Sequence, residues 1–101
     1  MPPNTWKKFE LWCSKYIGGE RRGADYGCAT GGKNDIIHDW LSVECKYGAR
    51  ITYALIQQAL RQAERAANPD QLPIAIVKKK GDSNEDAVVC INIKWFRDWF
   101  L

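Results

Sequence analysis

Apolar residues recur every three or four positions near the start of the chain, at Trp6, Phe9, Cys13, Tyr16 and Ile17. That period is helical. Asn4 and Thr5 precede it and suit the cap, because a side-chain oxygen there can accept free backbone N–H groups of the first turn. Gly18 and Gly19 end the helix. ERRGADYG (20–27) reads as a basic, extended segment, and GCATGGKN (27–34) as a glycine-rich loop. From Asp35 the period shortens. DIIHDW (35–40) and LSVECK (41–46) read as two short strands joined by a tight turn near Asp39 and Trp40. In the second, Val43 and Cys45 fall on one face, Glu44 and Lys46 on the other. YGARI (47–51) is a connection. A second helix is expected from about Thr52 to Ala67, with Ala54, Leu55, Ala59, Ala63 and Ala66 supplying its apolar face. Asn68 and Pro69 stop it. LPIAIVKK (72–79) is a near-continuous apolar run, the mark of a strand buried on both faces. GDSNED (81–86) is a turn, AVVCINI (87–93) the returning strand, and KWFRDWFL (94–101) a short closing helix. The order α-β-β-β-α-β-β-α predicts one α/β domain, residues 1–101, with a central mixed sheet flanked by helices.

Composition changes this picture little. A chain of 101 residues that is 46% apolar can fill one modest core, and 27% charged residues argue against wholesale disorder. A net charge of +3 permits a nucleic-acid partner without demanding one. The four cysteines, Cys13, Cys28, Cys45 and Cys90, include no CxxC pair, and the lone His38 lies far from them along the chain. Zinc and a disulfide framework both fit poorly; buried free thiols in a reducing cytosol fit better. No apolar stretch reaches membrane-spanning length, and MPPNTWKKFE is not a targeting sequence, so a cytoplasmic protein without a membrane association is expected.

The candidate chemistry lies in the most strand-like segment. Asp35 begins one strand, and Glu44 and Lys46 share a face of the next, so the three can converge at one end of a sheet. Two carboxylates held close repel each other, and one would take up a proton unless a cation offsets the charge. Hard oxygen ligands on a rigid strand pair suit Mg²⁺, which keeps several waters and takes few protein ligands. An ion there can polarise a phosphodiester. Lys46 would orient or acidify the attacking water and offset charge on the pentacovalent phosphorus.

Asn34-Asp35 followed by Glu44-Cys45-Lys46 resembles the PD-(D/E)xK nuclease signature, with Asn34 where that family often has proline. Glu10 in the first helix and Gly31-Gly32 before the aspartate narrow the resemblance to the small Holliday junction resolvases of archaea and their viruses. Arg21 and Arg22 occupy the family's basic position after the helix, Thr30 stands where its loop hydroxyl does, and Gln57 or Gln58 matches a polar residue of the following helix. The resemblance covers most of the chain. It implies a restriction-endonuclease-like core, hydrolysis of DNA phosphodiesters with Mg²⁺ (or Mn²⁺ in its place), a homodimer, and a viral or prokaryotic host cell. It also implies metal ligation by Asp35, Glu44 and the Cys45 backbone carbonyl, with Glu10 as a third acid.

Plainer readings stand beside these. Asp35 could close a turn, Glu44 and Lys46 could form a surface pair worth under ~1 kcal/mol, and Glu10 could be a solvated helix position. His38 should point away from Asp35 in a regular strand and is expected to be a surface or edge histidine rather than a base. Arg21, Arg22, Lys33 and Arg50 flank the proposed site and are expected to bind phosphate, with Thr30 and Gln57 as further DNA contacts. Lys78, Lys79 and Lys80 are expected only to balance the acidic turn. Trp95, Phe96, Trp99, Phe100 and Leu101 crowd the last helix and suggest a dimer seam. The sequence thus predicts a metal-dependent endonuclease acting on branched four-way DNA. Its rivals are a general or nicking nuclease of the same fold and a non-catalytic nucleic-acid-binding module.

Overall fold

The computed structural model describes residues 5–21 and 35–101. Their elements follow the order expected: α1 (Thr5–Tyr16), β1 (Glu20–Arg21), β2 (Ile36–Ile37), β3 (Leu41–Gly48), α2 (Tyr53–Ala66), β4 (Leu72–Lys79), β5 (Val88–Cys90) and α3 (Ile93–Phe100). Among the described residues the strands form one five-stranded sheet, ordered β1-β2-β3-β4-β5. All neighbours are antiparallel except β3 and β4, which run parallel from Leu41↔Leu72 to Gly48↔Lys79. A parallel pair needs a crossover, and α2 is that crossover. The described residues form an α/β fold with a mixed sheet and three α-helices.

The two faces of the sheet are read directly from alternation along β3 and β4. Val43, Cys45, Leu72, Ile74 and Ile76 pack with Phe9 and Cys13 of α1 in one cluster, against which Trp12, Trp95 and Trp99 lean. Ala75 and Val77 pack with Ala59 and Leu60 of α2 in the other. Ser42 turns toward α2 and donates to the Ala63 carbonyl at 2.6 Å. The small residues Ala59, Ala63 and Ala75 are fully buried, which lets α2 lie close to the strands. As predicted, β4 is buried on both faces through Val77.

Several boundaries depart from the sequence reading. The DIIHDW strand shrinks to Ile36–Ile37 because the His38 ring intervenes. Its Nδ1 accepts the backbone N–H groups of Trp40 and Leu41, each at 3.2 Å, and its Nε2 therefore carries the proton and donates to the Ile17 carbonyl at 3.0 Å. Gln71 adds a bond from its side-chain amide to the His38 carbonyl at 2.8 Å. β3 runs on through Tyr47 and Gly48, which pair with Lys78 and Lys79 rather than serving as a connection. Thr52 caps α2 by accepting the Leu55 N–H at 3.1 Å. Ala54 is exposed, and Leu60 takes the core position instead. The returning strand is only three residues long, since Asn92 already caps α3. Cys13 and Cys45 are buried free thiols and Cys90 is a half-buried one, as expected; Cys28 lies outside the described residues. No helix among the described residues is long and apolar enough to cross a membrane.

Candidate active site

Where β2 begins, the ladder to β3 changes from backbone to side chain. The Asp35 N–H still donates to the Val43 carbonyl at 3.2 Å. One step further on, the Asp35 carboxylate accepts the Cys45 N–H at 2.8 Å. A carboxylate is thereby fixed against the backbone of the central residue of Glu44-Cys45-Lys46. Asp35 is not simply closing a turn.

α1 brings the third acid. Trp6, Phe9, Glu10 and Cys13 recur along one side of this helix, and the last three are buried or nearly so. Glu10 is only 8% exposed, which excludes the solvated position weighed from sequence. Arg21 on β1 donates to it at 3.0 Å through Nε. Arg21 thus comes to the site, but its guanidinium is already engaged with a carboxylate. Trp6, Phe9, Glu10, Asp35, Glu44, Cys45, Lys46 and Tyr47 together line a cleft of about 260 Å³.

The electrostatics follow from this crowding. Burial, then the neighbouring charges of Asp35 and Glu10, push the Glu44 carboxyl up to about 8 against the pull of Lys46. Glu44 is 9% exposed, so it is no surface partner of Lys46. Burial also raises Asp35, although the Cys45 N–H, Lys46 and Arg21 all favour its charged form. Glu10 is raised by burial and by Asp35, and Arg21 opposes both. Three acids raised by burial, two of them also by a neighbouring carboxylate, are a place where a cation lowers the free energy. Among the described residues no three His, Cys, Asp or Glu side chains enclose an ion by themselves. Asp35 and Glu44 offer carboxylate oxygens, donors of the kind Mg²⁺ takes one or two of while water fills the rest of its shell. Beneath the cleft a hydrogen bond with the Cys13 thiol, together with burial, pushes the Cys45 thiol up, and its sulfur packs in the core.

Other predicted residues sit elsewhere. Arg50 is exposed just past the end of β3 and does not line the cleft. Gln57 on α2 donates to the Tyr53 hydroxyl at 2.9 Å and accepts from Asn92 at 3.3 Å, tying α2 to the start of α3. It lies outside the cleft. His38 is held by the turn and is not a free base. Arg22, Thr30, Lys33, Asn34 and the Gly31-Gly32 pair lie outside the described residues. Sequence reasoning missed the aromatic wall of the cleft, Trp6, Phe9 and Tyr47. Trp6 stands four residues before Glu10 on a helix, a spacing that already puts both on one face. It also missed that Lys78, while still bonded to the acidic turn, reaches the Phe9 and Tyr47 rings. Its ammonium lies 5.6 Å from the Phe9 ring and 5.2 Å from the Tyr47 ring, and donates to Asn84 at 2.6 Å.

Comparison with protein-family models, with curated proteins and with solved structures gave no match to this chain.

Proposed function

We propose that this chain is a Mg²⁺-dependent, structure-selective DNA endonuclease with a restriction-endonuclease-like core, acting as a homodimer on four-way junctions. One observation carries the reading: the 2.8 Å bond from the Cys45 N–H to Asp35, which locks the aspartate beside Glu44 and Lys46 in the cleft that Glu10 also lines. Residues from three separate stretches of sequence have no packing reason to gather three acids in one cleft. The resemblance to PD-(D/E)xK nucleases supplies a reason.

In this reading Asp35 and Glu44 hold the ion, with the Cys45 carbonyl as the backbone ligand that the resemblance implies; Mn²⁺ serves in place of Mg²⁺. The bound ion supplies Lewis-acid polarisation of the phosphodiester. Lys46 reaches the same space, orients the attacking water and offsets the charge that grows on phosphorus. Glu10, held by Arg21 through one oxygen, is the third acid that the resemblance implies and adds negative charge that strengthens the hold on a cation. Arg22, Lys33 and Arg50 bring the phosphate backbone toward the acids. Two copies are needed for paired incisions, and the exposed Ile93, Phe96, Phe100 and Leu101 offer an apolar face for pairing.

The test is to incubate the protein with a four-way junction, a linear duplex and a single strand, with Mg²⁺ or with EDTA. Paired symmetric nicks in the junction alone, lost in EDTA, are expected. Cutting of every substrate would mean a general nuclease, and retarded but uncut DNA a binding module. Asp35→Asn and Lys46→Ala are each expected to lower cutting about a hundredfold or more while binding is largely kept. Normal cutting by both variants would remove the site assignment.

A further inference from the structure

The cleft has a polar floor and an aromatic rim, and only the floor has a part in the chemistry above. Trp6 lines the cleft one helical turn from Glu10, yet its side chain remains 46% exposed. Lys7 places its ammonium 5.3 Å from the centre of the Trp6 ring, a positive charge beside an indole. Phe9 and Tyr47 continue the wall inward, their rings 5.8 Å apart and tilted by 41°. A volume of about 260 Å³ exceeds what a hydrated ion needs, at roughly 30 Å³ for each water.

We propose that Trp6 is a stacking platform for an unpaired nucleobase of the DNA strand entering the cleft. The proposal rests on the endonuclease reading and adds the residue that reads substrate structure. Glu10, Asp35 and Glu44 repel an incoming phosphate, so the strand needs an attraction that charge does not oppose. Stacking on indole is such an attraction, and it is indifferent to base identity. Lys7 beside the ring serves the phosphate that flanks the stacked base. In a continuous duplex every base already stacks on its neighbours, and reaching the rim costs that stacking. At a branch point or in a single strand the cost is small. Trp6 therefore selects DNA with exposed bases, and no base-reading helix is required.

The proposal is tested by fluorescence anisotropy in EDTA, where no cutting interferes. The wild type, Trp6→Ala and Trp6→Phe are titrated against a labelled single strand, the same strand carrying abasic nucleotides, and a fully paired duplex. Trp6→Ala is expected to bind the ordinary strand about tenfold or more weakly. Trp6→Phe should recover most of the loss, and all three proteins should bind the duplex alike. Abasic nucleotides should weaken the wild type and leave Trp6→Ala unchanged. Equal responses of wild type and Trp6→Ala to the abasic strand overturn the proposal, as does an equal loss on duplex. A Mg²⁺ cleavage assay on the same substrates separates the two ideas. Absence of cutting together with base-dependent binding through Trp6 removes the nuclease reading and leaves the platform standing.

Discussion

The bond between Glu10 and Arg21 shows how a single residue can change its meaning on folding. Arg21 reads from sequence as a phosphate binder, but its guanidinium is half-buried against an acid. Arg21→Ala leaves Glu10 buried without its cation, and a loss of about 1–3 kcal/mol of stability is expected. Adding Glu10→Gln should recover part of it, as chemical denaturation of the two single variants and the double variant would show. A simple phosphate-binding role would instead leave stability unchanged and weaken DNA binding alone. The meeting of Asp35, Glu44 and Lys46 was legible in the sequence because their spacing on neighbouring segments of a sheet brings them to one place. Trp6 and Tyr47 were not, because an aromatic residue at helical or strand spacing looks the same whether it fills a core or walls a cleft. The burial of Glu10 was not legible either, since it depends on Arg21 arriving from another element.

At the scale of elements, the site is held in place by short-range features at the join of α1, β1 and β2. Gly19 is one. A Cβ there would meet the Ile37 carbonyl oxygen at 2.6 Å and an Ile36 methyl at 2.9 Å, and the first of these is backbone that cannot swing aside. Gly19→Ala is expected to destabilise the protein by about 1–3 kcal/mol, read as a lower midpoint in urea. The His38 turn is the other feature. His38→Ala removes bonds to Ile17, Trp40 and Leu41 and should cost about 1–2 kcal/mol, while cutting by the folded variant persists. Loss of cutting without loss of stability would make His38 a candidate catalytic group after all. The period of apolar residues revealed α1, β3, α2 and β4, because each buries a regular face. It overran β2 and β5, where a histidine ring and the Asn92 cap of α3 end the strands by local bonding that no period records.

For the molecule as a whole, the cluster of acids makes folding pH-dependent. Glu44 has its carboxyl raised from 4.5 to about 8 in the folded chain, and Glu10 and Asp35 move the same way. A carboxyl raised on folding binds its proton more tightly in the native state. Its contribution is present at low pH and is lost as pH climbs through the folded value. In EDTA the melting temperature should therefore fall between about pH 4.5 and 8, and Glu44→Gln should flatten that decline. A melting temperature that rises over this interval would mean that the acids are paired with cations already. The same charges that weaken the metal-free fold are the ones an ion would relieve, so the central claim is best tested on binding itself. Mn²⁺ should be titrated calorimetrically into the wild type, Asp35→Asn, Glu44→Gln and His38→Ala. Binding by the wild type and His38→Ala, lost in both acid variants, is expected; equal binding by all four proteins would rule out Asp35 and Glu44 as ligands.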